Sequence, residues 1–127
     1  MINELLIQNK GKTLEFKECT TSLQKIIQTI VAFANTAGGS LIIGIADKTK
    51  EVVGLGDVLQ EEEKLASAVA DSVFPQIFPS FLFYTLQSRD LLIVSVPHRF
   101  GPFYIKAKGM SGGTYVRLGS MNRLADS

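Results

Sequence analysis

The feature that most constrains this chain is a helical pattern that ends on two glycines and runs straight into an unbroken apolar stretch. Leu23, Ile26, Ile27, Ile30, Val31 and Ala34 recur at helical spacing and make one apolar stripe. Thr21 and Gln24 stand three apart, as in a capping box, which predicts the helix start. Gly38 and Gly39 stop it, since glycine accepts the left-handed conformation past a helix end. The next residues, Ser40 to Ala46 (SLIIGIA), show no polar alternation, so this segment reads as a central strand buried on both faces. Any fold for the chain must therefore lay a helix against a sheet and also cover the sheet's other side.

The remaining elements follow from punctuation and period. Thr13 to Lys17 reads as a short alternating strand before the helix. Asp47 to Lys50 is a polar turn, and Glu51 to Leu55 returns as a short strand, forming a hairpin. Asp57 and Gln60 again have capping spacing, Glu61 to Glu63 suit the positive end of a helix dipole, and Leu65, Val69 and Val73 continue a second helix until Phe74 and Pro75. After Pro79 come four strand candidates, Phe81–Leu86, Leu91–Val96, Phe103–Lys106 and Thr114–Leu118. The expected order is β-α-β-β-α-β-β-β-β, an α+β domain with two helices packed on a mixed, largely antiparallel sheet. At 127 residues and 46% hydrophobic content, the chain has the size of one domain over residues 1–127 with one core. Its last stretch, RLGSMNRLA, has no closing element, so further domains are expected after Ser127 in the natural protein.

Several chemistries are excluded. Cys19 is the only cysteine, which rules out an internal disulfide framework and a zinc-finger spacing. No run approaches the roughly 18–20 apolar residues of a membrane span, and the N-terminus lacks the pattern of a secretory signal. A soluble cytoplasmic domain without membrane contact is the expectation. Gly11-Lys12-Thr13 lacks the earlier glycine of a phosphate-binding loop, that position being Leu6. Gly54-Leu55-Gly56 lacks the third glycine of a dinucleotide fingerprint, that position being Leu59. Nothing brings His98, the only histidine, to Cys19 with a group to orient its ring. No organic cofactor is expected.

The net charge of +1 is unevenly spread. Residues 51–98 hold two basic and seven acidic side chains, whereas residues 99–127 hold five basic side chains and one acid. If Phe103–Lys106 and Thr114–Leu118 pair as a hairpin, Lys106, Lys108, Arg117 and Arg123 make its rim basic, and Lys17 joins them. Such a rim tracks phosphates through salt-dependent, sequence-independent contacts. Tyr104 and Tyr115 are open to two roles, stacking on unpaired bases or packing in the core. Taken singly, these cations read as ordinary surface charge, and nothing in the sequence encodes base-specific readout.

Three segments and the chain end carry a resemblance. They are Leu14-Glu15-Phe16-Lys17-Glu18, then Ala32-Phe33-Ala34-Asn35-Thr36-Ala37-Gly38-Gly39, then Leu41-Ile42-Ile43-Gly44-Ile45-Ala46-Asp47 followed by Val53-Gly54. The closing Tyr115-Val116-Arg117-Leu118-Gly119-Ser120-Met121-Asn122-Arg123 with Ala125 completes the set. Together they resemble the Schlafen-type AlbA-like domain over nearly the whole chain. The resemblance implies a nucleic-acid-binding module, DNA before RNA, at the N-terminus of a bacterial transcriptional regulator or a RecG-related helicase-like protein. It also raises an alternative, a nuclease dependent on Mg2+ or Mn2+, in which Glu15 and Asp47 match two family carboxylates and Lys10 stands where the third would be. A third reading is a protein-interaction module in which an exposed sheet edge pairs two copies as a homodimer. Beside these stand plainer readings of the same residues. Glu15 and Lys17 share one solvated strand face, Asn35 caps a loop, Gly38, Gly39 and Gly44 serve turns and close packing, and Asp47 is a turn residue.

Overall fold

In the computed structural model, which describes residues 10–125, a four-stranded sheet carries its two long helices on one face. Strand β1 is Leu14–Lys17, β2 is Gly39–Ile43, β4 is Ser80–Leu86 and β5 is Arg89–Val96, in the spatial order β1-β2-β5-β4. β1 and β2 run parallel, and the other two pairings are antiparallel. The parallel pair requires a crossover, and helix α1, Leu23–Asn35, supplies it. The expected α+β architecture is what the chain adopts.

Alternation divides the sheet's side chains between two apolar layers. Leu41 and Ile43 of β2 and Leu92, Val94 and Val96 of β5 face α1 and helix α2, Val58–Ser72. They pack there against Ile26, Ile30, Phe33, Leu65 and Val69. Leu14, Phe16, Ile42, Leu91 and Ile93 are buried on the opposite face, with Val52 and Leu86 packed against them. This explains the unbroken apolar run of β2, whose two faces are both withdrawn from water.

Local signals act with uneven force. Asp57 caps α2 as expected, its carboxylate accepting from the Gln60 N–H at 3.1 Å. The capping box expected at Thr21 does not form. Ser22 is the residue before α1 and makes no side-chain cap, while the Thr21 hydroxyl lies 3.1 Å from the Cys19 Sγ. Gly38 has φ +74°, and an added Cβ would stand 2.8 Å from the Val96 carbonyl oxygen, so the helix end needs glycine both for its backbone angle and for the neighbouring strand. The strand expected at Glu51–Leu55 is reduced to single bridges, Ile45 to Val52 and Leu55 to Asp90.

The C-terminal third departs most from expectation. The hairpin expected between Phe103–Lys106 and Thr114–Leu118 is absent. Strand β6, Tyr104–Ile105, pairs instead with β3, Val73–Phe74, directly after α2. The Gly-rich stretch is not an extended turn. A 3-10 turn at Lys106–Lys108 leads into the short helix α3, Gly109–Gly113. Strand β7, Tyr115–Leu118, pairs with β8, Met121–Leu124, which the sequence reading did not anticipate. Among the described residues no helix is long and apolar enough to cross a membrane.

Candidate nucleic-acid interface

The β7–β8 hairpin is fastened to the sheet by one side chain. Arg117 is only 4% exposed and spends every arm of its guanidinium. Nη2 donates to Glu15 Oε1 at 2.7 Å and to the Leu14 carbonyl at 3.3 Å, Nε donates to the Gly11 carbonyl at 2.9 Å, and Nη1 donates to Asn122 Oδ1 at 2.8 Å. The cation also lies 5.1 Å from the centre of the Phe33 ring. Asn122 passes the connection on to the Thr29 hydroxyl of α1, and the Arg117 backbone N–H donates to the Thr36 hydroxyl. Glu15 alternates onto the helix-bearing face of β1, where this hairpin covers it to 5% exposure. A fully paired buried cation cannot also meet a solvent-borne phosphate. Arg117 is therefore withdrawn from the set of phosphate contacts expected from the sequence, and Glu15 from the solvated face it was expected to form.

Asn35 is a second internal tie. Its amide donates to the Phe103 and Tyr115 carbonyls and its oxygen accepts from the Phe103 N–H, all at 2.9 Å. One side chain at the end of α1 thus holds the approach to β6 and the start of β7.

The resemblance brings a divalent cation into question, and the side chains present do not fit one. The Lys10 ammonium sits 3.2 Å from Asp47 Oδ2, and the Arg117 guanidinium occupies Glu15. A metal ion bound by these carboxylates would meet a fixed positive charge at each of them. Among the described residues there is no group of three or more His, Cys, Asp or Glu side chains placed to hold a metal ion.

The Tyr-Val-Arg-Leu strand fastened to the Leu-Glu-Phe-Lys strand, with the Asn-Thr-Ala-Gly-Gly helix end between them, unites the segments that carry the resemblance. The family model described as Schlafen, AlbA_2 matches residues 10–126. The chain belongs to that family. Its fold is shared with the N-terminal domain of a RecG-related protein from Nitrosomonas europaea, at 28% identity and a TM-score of 0.72, over 96% of this chain and 88% of that one. The DIP2311 protein from Corynebacterium diphtheriae also superposes, with a TM-score of 0.72 and 18% identity, over 98% of this chain. This chain spans 26% of that longer protein.

In this Schlafen-family domain the other cations divide among separate places. Lys17 closes β1, where its carbonyl accepts from the Gly44 N–H, at the end of the sheet near Asp90. Lys106 and Lys108 are exposed on the 3-10 turn. Lys108 lines a cleft with Leu23 and Gln24 of α1 and Asp71 and Ser72 of α2. Arg123 lies opposite Val116 in the hairpin and shares its outward face. Val116 borders a second cleft that includes Arg99 and Phe100, beside the last turn of α1. From Leu23 to Ala34 is roughly 16 Å along the helix axis, so Lys108 and Arg99 flank opposite ends of α1. The single basic rim expected from the sequence is thus replaced by two exposed groups, Lys106 with Lys108 and Arg99 with Arg123. Among the described residues none of these four makes an ion pair.

The tyrosines resolve toward packing. Tyr104 meets Phe74 edge-on at 5.9 Å, and Tyr115 packs on the core beneath the Lys108 ammonium, 5.7 Å from its ring centre. Sequence reasoning passed over Arg99 and Phe100 as individual residues. Their one signal was an aromatic beside a cation in a Pro- and Gly-bounded loop, Pro97 to Pro102.

Proposed function

We propose that this chain is a nucleic-acid-binding module, for DNA in preference to RNA, within a larger bacterial protein of the transcriptional-regulator or RecG-related kind. The observation that carries the reading is the Nitrosomonas europaea neighbour, described as related to a DNA helicase and similar over 96% of this chain. The exposed side chains Lys106, Lys108, Arg99 and Arg123 support it, because cations that have no carboxylate partner among the described residues can exchange their counterions for phosphates. Lys17, half-buried at the far end of the sheet, is a weaker contributor. The module acts by binding. It needs no cofactor for this, and any motor belongs to another part of the whole protein. A cytoplasmic location fits the exposed free thiol of Cys19.

The test is a fluorescence-polarisation titration of labelled duplex DNA at two salt concentrations. Binding in the micromolar range or tighter, weakening steeply with salt, is the expected result. Lys106→Gln with Lys108→Gln should flatten the salt dependence by roughly one to two phosphate contacts. Absence of binding at low salt overturns the reading.

A second reading, self-pairing, has one specific observation behind it. β4 is an outer strand of seven residues, SFLFYTL, with no charge and no proline, and it exposes Leu82, Phe83 and Tyr84. Edges of this kind are ordinarily blunted by charge. Light scattering across a concentration series, repeated with Phe83→Lys, distinguishes a dimer built on this edge from a monomer.

A further inference from the structure

Two phenylalanines stand in water beside a cleft at the end of α1. Phe100 is 103% exposed and Phe78 is 79% exposed, although the chain buries most of its other large apolar side chains. Both line a cleft of about 350 Å³ that includes the buried residues Ala34, Ile77 and Phe103, with Arg99 beside them. Phe100 and Arg99 also line the second cleft, of about 360 Å³, which reaches Val116 and so the hairpin face carrying Arg123. Phe100 is therefore shared by two neighbouring clefts of the size that takes small planar ligands.

The loop that carries Phe100 is anchored on both flanks. His98 Nδ1 and the Arg99 backbone N–H both donate to the Ala34 carbonyl, at 2.9 and 3.3 Å. After the loop, Phe103 is held by Asn35. The exposed ring thus projects from a fastened base. Among the described residues the Arg99 guanidinium has one bond, to the His98 carbonyl, and no carboxylate partner. Neither cleft is lined by an acidic residue among those described.

We infer that Phe78, Arg99 and Phe100, with Arg123, form a binding site for unpaired nucleotides, with bases stacked on the phenylalanine rings and phosphates met by the arginines. The inference rests on the nucleic-acid reading above and adds to it a strand type and a location. Charge decides between occupants. An apolar partner would be served by the rings alone, whereas cations that find no acidic partner among the described residues suit a polyanion, and every base presents a flat face to an aromatic ring. The site differs from the Lys106–Lys108 group, where the Tyr115 ring beneath the Lys108 ammonium packs on the core and Asp71 lines the cleft. That group suits duplex phosphates, and the aromatic site suits single strands.

The chain contains no tryptophan, so Phe100→Trp gives a single reporter at the site. Oligo-dT should quench its emission, and a duplex of equal length should quench it less. In polarisation titrations, Phe100→Ala and Phe78→Ala should each weaken oligo-dT binding by roughly tenfold, the usual scale for losing one stacked base, with duplex affinity unchanged. Arg99→Gln should reduce the salt slope for the single strand by about one contact. Both rings are exposed, so these variants should keep the parent's circular dichroism. If oligo-dT binds but the phenylalanine variants bind equally well, this inference fails and the nucleic-acid reading stands. If neither oligo-dT nor duplex binds at low salt, both fail. If Phe100→Ala alters self-association in light scattering and leaves oligo-dT binding unchanged, the surface belongs to a second copy and the inference is overturned.

Discussion

Arg117 and Arg99 are the same residue type in the same third of the chain, and their surroundings give them opposite work. Arg117 is buried, donates to four acceptor groups and lies against an aromatic ring. Arg99 is exposed, donates to one backbone carbonyl and stands beside aromatic rings that face water. A guanidinium removed from water must have every donor met, or its burial would cost several kcal/mol (order of magnitude). One left in water keeps its donors available. Positive charge in the sequence thus says little about phosphate binding until burial is known. The RLGSMNR segment that completes the family resemblance is largely a fastening, and the surface proposed here to face nucleotides lies partly in a loop outside the family motifs.

The largest effect is expected at Arg117. Arg117→Met should leave Glu15 as a buried carboxylate without its cation and release the hairpin from β1, a loss of about 3–5 kcal/mol. Urea unfolding would show this as a lower midpoint with little change in slope. Adding Glu15→Leu to Arg117→Met removes the orphaned charge, so the double variant should be more stable than Arg117→Met alone. Full recovery is not expected, because the carbonyls of Gly11 and Leu14 and the Asn122 amide lose partners as well. If Arg117→Met leaves stability intact while lowering nucleic-acid affinity, the division between fastening and contact is wrong.

Asn35→Asp sharpens the same division at the other tie. The shape is kept, but a carboxylate has no hydrogen to give the Phe103 and Tyr115 carbonyls and would face both with negative charge. The expected loss is about 2–3 kcal/mol. Hydrogen exchange should report it first around β6 and β7, while the amides of β2 and β5 stay protected. A smaller effect is expected at Gly44, where φ is +111° and an added Cβ would stand 2.8 Å from Leu91 Cδ2. Gly44→Ala should cost about 1–2 kcal/mol through backbone strain and displacement of that buried side chain.

The two regions also differ in how far the sequence announces them. The first two-thirds were the more legible because apolar period, glycine stops and the Asp57 cap are local signals that agree there, although the Thr21 capping box and the Glu51–Leu55 strand departed from them. Residues 103–125 were not. β3 and β6 are two-residue strands whose pairing depends on where α2 ends, and nothing in Val73-Phe74 or Tyr104-Ile105 alone specifies that contact. Gly109 to Gly113 has the composition of a loose turn but forms a helical turn, with the Thr114 hydroxyl donating to the Met110 carbonyl. At the site, the alternation of Glu15 and Lys17 put them on one face correctly, yet no period reveals that a hairpin about 100 residues later covers that face. The same blindness hid Phe100, whose exposure depends on anchors at Ala34 and Asn35.

The smallest effect is expected at the Lys10–Asp47 ion pair. The Lys10–Asp47 pair is partly exposed on both sides, at 41% and 37%, so water screens it and its long side chain loses freedom on pairing. Asp47→Asn should shift stability by no more than about 0.5–1 kcal/mol, and 0.5 M salt should remove most of that difference. Lys10→Glu separates charge from metal chemistry. It sets a carboxylate beside that of Asp47, while the Arg117 guanidinium stays paired with Glu15. If the ammonium at position 10 is what keeps this chain from holding a divalent cation, Lys10→Glu should gain thermal stability on adding Mn2+, and the parent should not. If neither protein responds to Mn2+, the Glu15–Arg117 ion pair is enough to exclude the metal, and an equal gain in both would show that neither pair excludes it.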